Sequence, residues 1–210
     1  MNTTPEAYLT GKAYFYREEY IVRPGVLIPR PDTERVVEKL VELLPVGGHF
    51  TDLCCGSGCI GISALCERTD ATAAAYDISD IAIATSRENA EKNGVTERYT
   101  LKKGDIFALE IEETDIVVSN PPYIRREVIP TLDPSVKDHE PILALDGGMD
   151  GLDFYRAILD NFSPRECFIF EIGYDQGDDI RALAKERGLS CEVTRDYGGN
   201  DRVAVIRRKL

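Results

Sequence analysis

At 210 residues, 43% hydrophobic and 30% charged, the chain can bury a core of its own and has the balance of an ordinary globular domain. Its formal charge of −12 argues against direct nucleic-acid binding, which draws most of its affinity from neutralising phosphates; only Arg207, Arg208 and Lys209 gather positive charge. No apolar run approaches the ~20 residues that cross a bilayer, and residues 1–8 lack the layout of a signal peptide, so a cytoplasmic location is expected.

Two short aromatic and β-branched runs, Ala13-Tyr14-Phe15-Tyr16 and Tyr20-Ile21-Val22, flank charged Arg17-Glu18-Glu19 and predict a β-hairpin. Pro29 and Pro31 then punctuate the chain. Asp32 or Thr33 can cap a helix whose Val36, Val37, Leu40, Val41 and Leu44 form one apolar stripe. The chain thus divides into a hairpin and connector, 1–30, and a main domain, 31–210. From residue 49 strands (49–53, 71–76, 99–102, 115–119, 167–171) alternate with helices (60–67, 79–93, 152–161, 178–187). Alternation of this kind predicts an α/β fold, a mostly parallel sheet with helices on both faces. Two closing strands, 191–194 and 202–206, are joined by too few residues for a helical crossover and should pair antiparallel. Residues 124–150 hold several prolines and little apolar periodicity, which predicts a long functional loop, mobile without substrate.

The first strand of the sheet runs into Asp52-Leu53-Cys54-Cys55-Gly56-Ser57-Gly58-Cys59-Ile60-Gly61. Glycines 56, 58 and 61 match G-x-G-x-x-G at a strand-to-helix turn, where the backbone must turn tightly and approach a ligand. Asp77 ends the next strand, nineteen residues after Gly58, and its carboxylate can accept both ribose hydroxyls of an adenosine; capping a helix is the competing role. The nucleoside cofactor is NAD or S-adenosylmethionine on this evidence. The two histidines, His49 and His139, lack the context of a hydride-transfer acid, which favours the methyl donor. Six cysteines (54, 55, 59, 66, 167 and 191) show no Cys-x-x-Cys spacing and read as reduced, packed thiols, so no metal is expected.

The apolar strand ending at Ser119 leads into Asn120-Pro121-Pro122-Tyr123 at its carboxyl end, where open α/β sheets bind ligands. The prolines stiffen the backbone and leave its carbonyls as acceptors. The Asn120 side-chain oxygen and the Pro121 carbonyl suit a planar nitrogen with two N–H groups, with Tyr123 packing on its plane. These four residues are therefore the candidate catalytic set.

With these segments in view, the chain resembles the glutamine-N5 methyltransferases of the PrmC/HemK family, which methylate the Gly-Gly-Gln glutamine of class I release factors. The resemblance runs through Tyr8-Leu9-Thr10-Gly11, Ile28-Pro29-Arg30-Pro31-Asp32-Thr33-Glu34, the 52–61 loop, Asn120 to Tyr123, Glu140-Pro141, Ala144-Leu145-Asp146-Gly147-Gly148, Gly151-Leu152-Asp153-Phe154-Tyr155, Glu171-Ile172-Gly173 and Asp201-Arg202. Asn-Pro-Pro-Tyr alone is shared with adenine-N6 and guanine-N2 methyltransferases; the other segments are more particular. The resemblance implies the class I S-adenosylmethionine-dependent methyltransferase fold, a Rossmann-like seven-stranded sheet with an antiparallel last strand. It implies that Asp52, Leu53, Cys54, Cys55, Gly56 and Gly58 hold the methionine end of the cofactor and Asp77 the ribose. Asp105 and Ile106 would lie beside the adenine, and Asn120 would touch both cofactor and substrate. It implies a release-factor partner and a monomeric enzyme acting without membrane or metal. Family members carry a helical N-terminal domain that helps grip the release factor, and the resemblance begins after it. Cys54 stands where the family's loop has its first glycine, which ordinary β dihedrals would allow. Another protein glutamine, a small-molecule amide, a nucleic-acid base amine, or a non-catalytic cofactor-binding subunit are the alternative readings.

Overall fold

Strands buried along almost their whole length set the architecture of residues 3–209, the part of the chain that the computed structural model describes. In β3 (His49–Leu53), β4 (Thr72–Asp77), β6 (Ile116–Ser119) and β7 (Cys167–Glu171) nearly every side chain is buried, as parallel strands covered on both faces require. With β5 (Tyr99–Lys103), β8 (Leu189–Arg195) and β9 (Asp201–Arg208) they form a seven-stranded sheet in the order β5-β4-β3-β6-β7-β9-β8. β3 pairs in parallel with both β4 and β6, so the chain leaves the sheet centre in one direction and returns in the other. That reversal opens a crevice at the carboxyl ends of β3 and β6. β9 runs antiparallel to β7 and β8, as the short connection predicts, and both closing strands are longer than their apolar cores.

Side chains alternate between two cores because successive strand residues face opposite sides. Phe50, Ile116, Val118 and Ile169 join Val36, Val37 and Leu40 of α2 (Glu34–Leu43), Ile60 to Leu65 of α3 (Cys59–Glu67) and Ala90 of α4 (Asp80–Lys92). Val117, Phe168 and Phe170 join Tyr155 and Ile158 of α6 (Asp153–Asn161) and Ile180 and Leu183 of α7 (Gly177–Glu186). Every residue of α3 from Cys59 to Leu65 is buried, which suits a helix apolar all round.

The N-terminal segment begins with a short helix, α1 (Glu6–Thr10), that the sequence reading lacked, followed by a hairpin of β1 (Lys12–Phe15) and β2 (Glu18–Ile21). The turn is Tyr16-Arg17, not the charged triplet: Phe15 pairs with Glu18, and Tyr16 adopts φ 57°. Glu18 and Glu19 stay in the strand because each has a partner; Glu18 accepts from Ser63 at 2.7 Å and Glu19 from Lys92 at 2.6 Å. Phe15 and Tyr20 enter the first core, so the hairpin packs with the sheet domain. Residues 124–150 are not plain loop either. They hold short helical turns at Ile129–Thr131, Pro134–Lys137 (α5) and Ile142–Ala144, too brief to show periodicity. Ile124 and Asp146 form a β-bridge, and Arg126 N donates to Gly148 O at 2.9 Å. Glu140, almost fully buried, pairs with Arg30 of the connector.

Asn89, fully buried on α4, fastens the hairpin to the sheet domain. Its side chain accepts from Ile21 N at 2.7 Å and donates to Ile21 O at 3.0 Å and to Ser57 O at 2.9 Å. Asn89→Ala leaves these backbone groups without a partner and is expected to lower unfolding free energy by ~1–3 kcal/mol in denaturant titration; unchanged stability would mean that water replaces the clamp.

Candidate active site

The carboxyl ends of β3 to β6 open onto a cavity of about 210 Å³. The loop after β3 contributes Cys54 to Ser57, the end of β4 contributes Asp77 and Ile78, and the loop after β5 contributes Gly104 to Phe107. Asn120 and Pro122 line it beyond β6, and residues 25–30 with Pro141, Leu143 and Ala144 complete the wall.

On the β3–β5 side the donor set fits an adenosine with a charged tail. Asp77 Oδ2 accepts Gly56 N and Oδ1 accepts Ser79 N, each at 2.9 Å, so this carboxylate cross-links two loops and keeps lone pairs toward the cavity. Burial raises its pKa, and the backbone N–H groups of Ser79, Gly56 and Ile78 draw it back. The capping role falls to Ser79, whose hydroxyl accepts from Ala82 N. Ile78, Ile106 and the edge-packed Phe107–Phe154 pair, 5.2 Å between centroids, give an apolar slot for a flat base. A Cβ on Gly56 would meet nothing within 4 Å, so the loop leaves open space there. Asp105 lines the cavity and accepts Phe107 N at 3.0 Å.

Asp52, Leu53 and Gly58 stand behind the loop and are not among the lining residues. Leu53 is buried in the second core. Gly58 starts α3 at φ 81°. Asp52 is fully buried; its Oδ2 accepts Gly61 N at 3.1 Å, and its Oδ1 has no partner. A Cβ on Gly61 would lie 2.8 Å from the Tyr99 ring and 3.0 Å from Asp52 Oδ2, so the third glycine lets α3 close on the sheet. Burial pushes the Asp52 carboxyl up to about 8, against the pull of the Gly61 N–H and with a further push from Asp77. Cys54 overturns one expectation: its φ is 58°, in the left-handed region, not extended. The loop keeps the glycine-like geometry and Cys54 bears its steric cost, ~1–2 kcal/mol. Burial also lifts the Cys54 and Cys55 thiols well above the usual range, so both stay protonated at neutral pH.

On the β6 side, Asn120 and Pro122 line the cavity; Pro121, between them, is buried, and neither it nor the Tyr123 side chain is among the lining residues. The Tyr123 ring packs on the second core instead of facing the cavity, and its hydroxyl donates to Glu171 Oε1 at 3.1 Å. Thr33 Oγ1 donates to Glu171 Oε2 at 2.5 Å, and Asn120 Nδ2 donates to Thr33 Oγ1 at 3.4 Å. Burial raises the Glu171 pKa, opposed by the Thr33 bond, the Arg202 charge and the Tyr123 bond. Behind Tyr123, Gln176 Nε2 donates to its carbonyl at 3.0 Å. A Cβ on Gly147 would lie 2.7 Å from Tyr123 Cα, and one on Gly151 2.4 Å from Tyr123 O. The Asp-Gly-Gly stretch is therefore the brace against which the tetrapeptide rests. Sequence reasoning gave Thr33 only a helix-capping role, for which its side chain makes no bond, placed Arg30, Glu140 and Glu171 only within segments of resemblance, and passed over Gln176. One signal was available: Glu171 is the single charged residue in the buried strand Cys-Phe-Ile-Phe-Glu.

Fold and site together define a class I S-adenosylmethionine-dependent methyltransferase. Residues 32–132 match the family model described as the methyltransferase small domain. The release factor glutamine methyltransferase of Clostridium acetobutylicum is 40% identical over 214 residues, covering 97% of this chain and 75% of the relative. That of Clostridium botulinum is 39% identical over 217 residues, covering 99% and 77%. This chain belongs to the release factor glutamine methyltransferase family. The ribosomal protein L11 methylase of Lactobacillus delbrueckii subsp. bulgaricus shares the fold, with TM-score 0.62, 22% identity and coverage of 90% of this chain and 84% of that one. No helix among the described residues is long and apolar enough to cross a membrane.

Unfolded, Asp52 releases its proton near 3.8; folded, only near 8. Between these values the folded state keeps a proton that the unfolded state has lost. The contribution is therefore full in acid and disappears as pH rises toward 8. Asp52→Asn is expected to flatten the decline in melting temperature between about pH 5 and pH 8. Parallel wild-type and variant profiles would show that Asp52 is already ionised in the fold.

Proposed function

We propose that the chain transfers the methyl group of S-adenosylmethionine to the side-chain amide nitrogen (N5) of a protein glutamine, the glutamine of the Gly-Gly-Gln motif in a class I peptide chain release factor. The observation that carries this reading is the tether on Asn120. Its amide NH₂ is turned back onto Thr33, which leaves its oxygen as an acceptor at the cavity wall. The names of the relatives support the choice of partner.

The bound cofactor supplies an electrophilic methyl on sulfur. Asp77 would hold the ribose hydroxyls and the 54–57 loop the methionine end, with Ile106 and Asp105 beside the base. Asn120 Oδ1 and the Pro121 carbonyl each accept one hydrogen of the substrate NH₂, which aims the nitrogen at the methyl; orientation of this kind is a large share of catalysis. Withdrawing both hydrogens also raises electron density on nitrogen. The N-methylated amide cation is strongly acidic and releases its proton to water, so no strong base is needed. Pro122 presents an apolar wall beside the acceptor, and Tyr123, bonded to Glu171 and braced by Gly147 and Gly151, holds the tetrapeptide in place.

Incubation with labelled cofactor and, in parallel, a Gly-Gly-Gln peptide, a release factor and an oligonucleotide is expected to label the two glutamine substrates alone. Label on the oligonucleotide would overturn the substrate class. Asn120→Asp places a carboxylate against a Thr33 oxygen whose proton is already given to Glu171, and adds negative charge that favours the sulfonium ground state. Its kcat is expected to fall on the order of 10²–10³-fold, with affinity for S-adenosylhomocysteine largely kept in calorimetry. A variant retaining more than about a tenth of the rate would contradict the amide clamp.

A further inference from the structure

We propose that Glu171 is the positioning residue that decides which end of the Asn120 amide faces the substrate; this deepens, and rests on, the amide-transfer reading above. Glu171 ends β7 and is 2% exposed. An ionised carboxylate only accepts hydrogen bonds, and both its oxygens are engaged, one by Thr33 and one by Tyr123. The Thr33 hydroxyl has a single proton, and it is spent on Glu171. Toward Asn120 it therefore offers only lone pairs, and the Asn120 group that can meet them is the NH₂. The amide oxygen then points the other way, toward the substrate. The buried charge thus acts at a distance, setting the direction of each hydrogen bond from Glu171 through Thr33 to Asn120.

A neutral amide at position 171 breaks this order. Gln offers one acceptor oxygen and an NH₂ donor, so either Thr33 or Tyr123 must turn from donor to acceptor. Thr33 is the one that can, because its displaced proton finds the Asn120 oxygen; the half-buried Tyr123 hydroxyl has Glu171 as its hydrogen-bond partner. Asn120 is then held with its NH₂ toward the cavity, donor against the substrate's own donors. Thr33→Val, nearly isosteric, removes the relay hydroxyl while the Glu171 carboxylate stays in place, short of one donor.

Glu171→Gln, Thr33→Val and the double variant are compared with wild type for kcat on the glutamine peptide, affinity for S-adenosylhomocysteine and melting temperature. The ¹⁵N–¹H side-chain resonances of Asn120 are recorded in each cofactor-product complex. Each single variant is expected to lose roughly 10- to 100-fold in kcat with product affinity little changed. The double variant is expected to be no slower than the worse single one, as members of one chain of bonds behave. Thr33→Ser, which restores the hydroxyl, should recover most of the rate, and the Asn120 resonances should shift in Glu171→Gln and Thr33→Val but not in Thr33→Ser. A wild-type rate in Glu171→Gln, losses that multiply in the double variant, or unmoved Asn120 resonances would overturn the assignment. Failure of the substrate reading shows separately, as wild-type enzyme that leaves the peptide unlabelled, and the resonances then still decide the role of Glu171.

Discussion

A carboxylate taken out of water must be given donors, and in this fold that requirement gathers the acceptor half of the site. Burying an unpaired charge costs far more than any single contact returns. Glu171 meets the demand with Thr33 from the helical turn Pro31–Thr33 before α2 and Tyr123 from the stretch after β6, while Arg202 of β9 lends its charge nearby. The Glu171 carbonyl accepts the Tyr155 hydroxyl of α6 at 2.8 Å. Segments far apart in the chain are thereby held in one arrangement, and Asn120 takes its orientation from it. Arg202 extends the tie, pairing with Asp32 at 3.5 Å and Asp196 at 3.1 Å, so the last hairpin anchors the turn that carries Thr33.

The two halves of the cavity are built on different principles. The half proposed to hold the cofactor comes from tight turns at the ends of adjacent parallel strands, cross-linked by Asp77 and closed by the approach of α3 at Gly61. Its geometry is local and follows from the sheet. The acceptor half comes from the connector, the tetrapeptide and residues 124–151, long excursions that leave the sheet and return to it. Such excursions need explicit fastening, which the bridge at Ile124–Asp146, the Arg30–Glu140 ion pair and the Gln176 bond to Tyr123 provide. A rigid cofactor cradle beside a wall assembled from several segments suits one fixed methyl donor and an acceptor read by its shape.

The difference also explains what could be read from the sequence. The alternation of strands and helices, the antiparallel close and the Gly56-Ser57-Gly58 turn announce themselves through apolar runs, short connections and glycine spacing, because each is decided by neighbours in the chain. The Thr33–Glu171 and Asn120–Thr33 bonds join residues 138 and 87 positions apart, and no local pattern records them. The left-handed Cys54 was invisible for another reason: its residue type argues for extended backbone, and tertiary packing overrides that preference. The hairpin turn was misplaced because Glu18 and Glu19 look like loop until their partners on α3 and α4 are known. Tyr123 was read as a flat face for substrate, whereas its ring and hydroxyl support the tetrapeptide from behind.

The central claim is that the cavity wall reads a planar amide through a carbonyl oxygen of fixed orientation. A crystal structure of the enzyme with S-adenosylhomocysteine and a Gly-Gly-Gln peptide tests it directly. The account requires the glutamine amide nitrogen at about 3 Å from both Asn120 Oδ1 and the Pro121 carbonyl oxygen, with Asn120 Nδ2 still on Thr33. A glutamine side chain outside the cavity, or bound with its nitrogen turned away from both oxygens, would contradict it.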